Sequence, residues 1–135
     1  MIKLKAHIVS RGSARGEALV TSQPISFLGS VDPMTGVVVV VEKGHELEGK
    51  SVKGKVLVFP GGKGSTVGSY VIYQLKKNNA APCAMINVKA EPIVAVGAII
   101  SGIPLVDRLE KDGVSNIKTG DNILVDALNG SVEIL

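Results

Sequence analysis

Residues 59–70 read Phe59-Pro60-Gly61-Gly62-Lys63-Gly64-Ser65-Thr66-Val67-Gly68-Ser69-Tyr70, and they join two kinds of structure. Before them runs Val56-Leu57-Val58-Phe59, an uninterrupted apolar segment of strand length. After them Val67, Val71, Ile72 and Leu75 recur on one side of a helix. The glycines therefore form a strand-to-helix turn, with Ser65 or Thr66 at the helix N-cap. A helix start leaves its first N–H groups unpaired and carries roughly half a positive charge. Lys63 adds a full one, and Gly61, Gly62 and Gly64 let backbone approach a ligand closely. A tight turn before a helix needs one cap and one glycine. Three glycines with a lysine and a serine exceed that need and read as an anion site with a hydroxyl at its mouth.

Outward from this turn, residues 2–9 alternate and predict one strand. Arg11 to Gly16 predicts a turn and Glu17-Ala18-Leu19-Val20 a second strand. Ser26 to Gly36 is a long loop, bordering a site or lying on the surface. Five consecutive valines, Val37 to Val41, predict a strand buried on both faces. A connection from Gly44 to Gly54 leads into the strand at 55–59. The helix runs over about 66–78, closed by Asn78-Asn79 behind Lys76 and Lys77. Pro82 to Val88 reads as a strand, Glu91 to Gly102 as a short buried helix, and Ile103 to Val106 as a short strand. Residues 107–120 read as turn and loop, and 122–128 with 131–134 as a hairpin around Asn129-Gly130. The whole, residues 1–135, predicts one mixed β/α domain in which strands dominate, not a doubly wound sheet.

Composition narrows the function. With two Phe, two Tyr and no Trp, the core is aliphatic, and base-stacking nucleic-acid modules are disfavoured. The net charge of +3 comes from dispersed lysines with no basic run, so no nucleic-acid arm is expected; small anions or an acidic partner fit. One cysteine, Cys83 in an apolar run, excludes an internal disulfide and a self-contained cysteine-ligated cluster; it reads as a buried free thiol in a reducing, cytoplasmic setting. The N-terminus is too short and charged for a signal peptide, and the longest apolar run falls short of a membrane span. Gly44-His45-Glu46-Leu47-Glu48-Gly49-Lys50-Ser51 matches the P-loop letters. However, Ser51 leads into a strand, and Glu46 and Glu48 would repel a triphosphate, so the match is rejected. His7 and His45 lack companions at ligand spacing and read as structural or solvated, leaving no metal site.

From the residues alone, Ser65 is a candidate nucleophile or base, with the helix start and Lys63 to stabilise its alkoxide. Arg11 and Arg15 are candidates for holding a carboxylate or phosphate.

Four segments carry a resemblance: Phe27-Leu28-Gly29-Ser30-Val31-Asp32-Pro33, Gly49 to Pro60, Gly61 to Tyr70, and Gly97 to Asp107. With them the chain resembles the small-subunit family of phosphomevalonate dehydratase, also described as swivel-domain proteins of aconitase X. The likeness runs nearly end to end; Ser30 stands where a second glycine is expected. It implies the swivelling β/β/α domain seen as the mobile last domain of aconitases. It implies one half of a heterodimer whose large subunit carries a four-iron–four-sulfur cluster. The reaction implied is dehydration of (R)-5-phosphomevalonate to trans-anhydromevalonate 5-phosphate in the archaeal-type mevalonate route. Aconitases have a Gly-x-Gly-Ser-Ser-Arg segment whose first serine is the base. Gly62-Lys63-Gly64-Ser65-Thr66-Val67 resembles it, which assigns Ser65 as proton acceptor and Gly62, Lys63, Gly64 and Thr66 to substrate binding. Val67 replaces the arginine, so Lys63 or Arg15 is expected to supply its anion contact.

Two other readings stand beside this one. The chain could serve an aconitase X dehydratase for another hydroxy acid such as a hydroxyproline, or be a non-catalytic anion-binding module. A phosphohistidine carrier is disfavoured, because no histidine follows Gly61.

Overall fold

The computed structural model describes residues 2–35, 37 and 44–135, with Ser30 by its backbone alone. Among the described residues, eight strands lie in the order β1-β8-β7-β3-β4-β5-β6-β2. The antiparallel half holds β1 (Ile2–Lys5), β8 (Ser131–Ile134), β7 (Asn122–Asp126) and β3 (Ser13–Val20). From β3 the sheet continues parallel through β4 (Val56–Phe59), β5 (Ala84–Asn87) and β6 (Leu105–Asp107); β2 (His7–Ser10) pairs antiparallel with β6. The helices are the short, kinked α1 (Phe27–Ser30), α2 (Gly68–Lys77) and α3 (Pro92–Ser101).

The pleat of the central strands sorts the core into two. Val56, Val58, Ala84, Ile86 and Val106 face Ile123, Val125 and Val132 of the antiparallel half. Leu57, Phe59, Met85 and Leu105 face Val71, Ile72 and Leu75 of α2 and Val94 and Ala98 of α3. Strands buried on both faces need continuous apolar sequence, which Val56 to Phe59 supplies. The result is three layers, β/β/α, as expected.

The strand expected over residues 2–9 is two strands. At Ala6 the N–H turns to Gly130 O at 2.9 Å, and the chain leaves β8 for β6. The two ends of the sheet are thus consecutive pieces of chain, and the sheet curls round to meet itself at Ala6. The turn expected at 11–16 is shorter, because β3 begins at Ser13. Gly16 lies in that strand, where a Cβ would come within 2.8 Å of Cys83 Sγ and 3.0 Å of Gly54 O. Its glycine serves a close approach rather than a bend.

α3 is capped as its sequence indicates: Glu91 accepts from Ile93 N and Val94 N at 2.8 Å, Pro92 follows, and Gly102 is left-handed at φ 68°. It is not a buried helix; Val94, Gly97, Ala98 and Ser101 are covered, and its opposite face is exposed. α2 ends at Asn78 and the left-handed Asn79, behind Lys76 and Lys77. Between β6 and β7 a 3-10 helix spans Glu110–Asn116. The closing hairpin turns through four residues, Ala127 to Gly130, with Asp126 accepting the N–H groups of Leu128 and Asn129. The valine run lies, apart from Val37, outside the described residues; Val37 bridges Ser51. No helix among the described residues is long and apolar enough to cross a membrane.

Candidate active site

The parallel strands set the site. β4 ends at Phe59, and the chain turns at its carboxyl end through Pro60 to Gly64 before entering α2. The loop after β3 lies alongside this turn: Ile25 N donates to Gly61 O (3.2 Å) and Lys63 N to Ile25 O (3.1 Å). Phe27 packs edge-on against Phe59 with ring centroids 5.9 Å apart. The segment at 25–29 therefore borders the turn and is not a surface excursion.

The glycines are used by the protein itself. A Cβ on Gly61 would sit 3.2 Å from Lys89 O. On Gly62 it would sit 2.5 Å from Glu91 Oε1 and 2.7 Å from a methyl of Val94. Gly64 has φ +87°, and a Cβ there would meet Ser26 Oγ at 2.7 Å. The surplus of glycine that suggested ligand approach thus answers to internal packing.

What this turn offers an anion is its N–H groups. α2 starts later than expected, with Val67 in the N-cap position. The chain enters it through a turn in which Gly68 N bonds Ser65 O at 2.9 Å and Ser69 N bonds Thr66 O at 3.3 Å. Ser65 caps this turn from two residues back: its Oγ accepts Val67 N–H at 3.1 Å. Among the described residues, no acceptor takes the N–H of Gly64, Ser65 or Thr66. Three unclaimed donors in sequence, ahead of a ten-residue helix, favour negative charge at this spot. A donor already aimed at Ser65 Oγ favours the charged form of that oxygen over the neutral one. Ser65 is partly buried, and Lys63, Gly64 and Thr66 are exposed, so the hydroxyl sits in a rim of accessible donors.

The structure brings Gly62, Lys63, Gly64, Ser65 and Thr66 together but not Arg15. Ala18 pairs with Val56 and Val20 with Val58, so Arg15 lies three residues before the start of that pairing while the turn follows its end. At about 3.3 Å per residue, that separates them by roughly 20 Å along the strands. Arg15 contacts Asn122 Oδ1 at 3.4 Å instead. Of the two candidates for the missing arginine's contact, only Lys63 is at the turn. Val67, expected on the buried side of α2, is exposed.

Sequence reading missed the support behind the turn. Asp107, at the end of β6 and buried, accepts Ala90 N–H at 2.8 Å and holds His7 Nδ1 at 2.8 Å. It thereby fixes the segment that carries Lys89 and Glu91 against Gly61 and Gly62. The signal available was Glu91-Pro92, a cap followed by proline at the first helical position.

The second glycine–lysine loop is built differently. His45 is buried, its Nε2 on Pro24 O (3.2 Å) and its Nδ1 accepting Leu47 N–H (3.1 Å), a structural role. Glu46 accepts both the hydroxyl and the N–H of Ser22 and the hydroxyl of Thr21, which hold its carboxyl below the ordinary 4.5. Cys83 is half-buried rather than buried; desolvation raises its thiol pKa, and it lies by Arg15 O at 3.8 Å, on the far side from Ser65. Among the described residues no three His, Cys, Asp or Glu gather to hold a metal, and one cysteine does not fit the thiolate set of an iron–sulfur cluster.

Comparison with known proteins agrees with this architecture. The family model for the aconitase X swivel domain matches residues 3–134. A Methanosarcina mazei protein named phosphomevalonate dehydratase small subunit is 66% identical, over 99% of this chain and 92% of that one. The Thermococcus kodakarensis protein of the same name is 57% identical, over 99% and 97%. The crystal structure of Thermococcus kodakaraensis aconitase X, in its holo-form, superposes with a TM-score of 0.93 at 56% identity, covering 100% of this chain and 99% of that chain. A layered β/β/α fold with its glycine turn at the carboxyl end of the parallel strands, matched end to end by that model, makes this chain a member of the aconitase X swivel-domain family.

Proposed function

We propose that this chain is the small subunit of a two-chain phosphomevalonate dehydratase, a hydro-lyase that removes water from (R)-5-phosphomevalonate to give trans-anhydromevalonate 5-phosphate. The observation that carries the reading is identity of 57–66% over nearly the full length to the small subunits of that name just described.

In this reading Ser65 Oγ, as the alkoxide, takes the proton from the carbon next to the substrate carboxylate as the C–O bond on the neighbouring carbon breaks. The departing hydroxide becomes water with a proton from solvent, and Ser65 returns its own proton to solvent before the next turnover. The Val67 N–H that already bonds this oxygen stabilises the alkoxide that does so. The N–H groups of Gly64 and Thr66 and the side chain of Lys63 hold anionic oxygens of the substrate, Lys63 taking the part of the arginine that Val67 replaces. Gly62 keeps the turn close to Glu91 and so keeps these groups in place.

A single cysteine does not supply the thiolates of a cluster, so our reading gives this chain the proton-transfer and anion-binding side of the reaction alone. An iron–sulfur group is assigned to the large subunit, and the complex to the cytoplasm.

The test is anaerobic co-expression with a candidate large subunit, then turnover of 5-phosphomevalonate by the wild type and by Ser65→Ala. We expect the wild-type complex to turn over and the variant complex to assemble yet stay inactive. No turnover by an intact, cluster-loaded wild-type complex would refute the substrate. Near-normal turnover by Ser65→Ala would refute the base.

A further inference from the structure

We infer that the outward face of α3, with the cavity at its N-terminal end, is the surface on which the large subunit docks. The inference rests on the functional reading above and names where that partner sits.

Every residue of α3, Pro92-Ile93-Val94-Ala95-Val96-Gly97-Ala98-Ile99-Ile100-Ser101, is uncharged, and Ser101 alone is polar. A helix lying on a sheet normally turns charged residues to water. Here Val96, Ile99 and Ile100, spaced to share one face, are 48%, 56% and 53% exposed.

The fold prevents this face from turning inward. Gly97 lies so close to α2 that a Cβ would meet Ile72 at 2.7 Å, and Ser69 Oγ donates to Ile93 O at 2.6 Å. Glu91 and Gly102 fix the two ends. The apolar face is thus held outward by packing on its other side. Depletion of charge around large aliphatic groups is what the centre of a protein–protein interface shows.

Position selects the occupant. A cavity of about 300 Å³ is lined by Thr66, Ser69, Pro92, Ile93 and Val96. It therefore runs from the residue after Ser65 to the first exposed position of the α3 face. Whatever covers this face borders the candidate catalytic hydroxyl. A second copy of the chain would bring no cluster and would close Ser65 to substrate. The large subunit must border Ser65 for the reaction to be completed, and the cavity has the volume and the largely apolar lining to take an apolar side chain. Exposed apolar residues elsewhere, such as Ile2 and Leu128, lie on other elements.

The experiment measures binding of the purified large subunit to the wild type, to Ile99→Lys/Ile100→Lys and to the control Leu128→Lys. Circular dichroism checks the fold of each chain, and turnover of 5-phosphomevalonate is measured in parallel. We expect the α3 variant to remain folded and monomeric and to bind at least about 100-fold more weakly, the control binding like wild type. Wild-type affinity in the α3 variant overturns the inference. So does a wild-type chain that dimerises through this face and loses only that dimerisation in the variant. Loss of binding in the α3 variant from a wild-type complex that does not dehydrate phosphomevalonate would uphold the docking face and sink the substrate assignment. Failure of the wild type to bind any large subunit would sink both.

Discussion

Two stretches of this chain combine glycine, lysine and serine, and only one of them stands ahead of a ten-residue helix with consecutive N–H groups unclaimed among the described residues. In 44–51 five N–H groups are claimed by the loop and its neighbours, and no helix follows. Gly44 donates to Glu48, Glu46 to Gln23, Leu47 to His45 Nδ1, Glu48 to His45 O and Lys50 to Leu47 O. Ser51 then bridges Val37. In 61–66 the packing is equally tight, but it is made by missing side chains, and the N–H groups of Gly64, Ser65 and Thr66 are left for a ligand ahead of α2. The contrast teaches that such a site is made by unclaimed donors at a helix start; the letters alone do not make one.

The sharpest way to break this contrast is to remove each hydroxyl in turn from the assembled enzyme. Ser65→Ala should lower turnover about 10²–10⁴-fold without dissociating the complex, while Ser51→Ala, whose Oγ accepts Lys53 N–H, should leave turnover unchanged. Equal effects would erase the distinction. A smaller but still large effect is expected at Gly62. Gly62→Val drives a branched side chain into Glu91 and Val94, and should destabilise the fold by about 3 kcal/mol in denaturant unfolding.

A milder pair sets two left-handed glycines against each other. Gly64→Ala meets both φ +87° and Ser26 Oγ, and should cost about 2 kcal/mol. Gly49→Ala, at φ +77° with nothing within 4 Å, should cost about 1 kcal/mol. Comparable losses would mean that Ser26 moves aside freely.

The smallest effect is on pH. The Glu46 carboxyl is held below 4.5 in the fold, first by the Ser22 hydroxyl. It therefore adds stability above pH 4.5, and this is lost as pH falls through the lowered value. Melting temperatures of the wild type should drop over that acid range more than those of Glu46→Gln. Parallel curves would show that the Ser22 and Thr21 contacts do not persist in solution.

Much of this was legible because local signals agreed with the whole. Val56 to Phe59, the Glu91-Pro92 start of α3 and the Asn78-Asn79 end of α2 are each fixed by neighbours in sequence. What escaped depended on distant atoms. The alternation of residues 2–9 runs unbroken across Ala6, and only Gly130 O, from the far hairpin, reveals the break. Gly12 and Gly16 read as a turn because nothing local says that Cys83 and Gly54 press on Gly16. Arg15 was misplaced with them. The place of Ser65 in the strand-to-helix turn is legible because that turn is local, while Asp107 and Ser26 act on it from other parts of the chain. The outer face of α3 was read as buried because apolar sequence cannot distinguish a core from a surface awaiting a partner.

The break at Ala6 also bears on how the protein is made. Ile2 pairs with Ile134, far along the chain, while His7, five positions on, pairs with Asp107. The first strand waits for the last, so the sheet cannot close until residues 131–134 have been made. Contacts of such sequence separation make folding slow. During synthesis both edges that later meet at Ala6 are open to other strands. Extensions at either terminus will therefore act on the same seam, and a tag that disturbs β8 will release β1 as well.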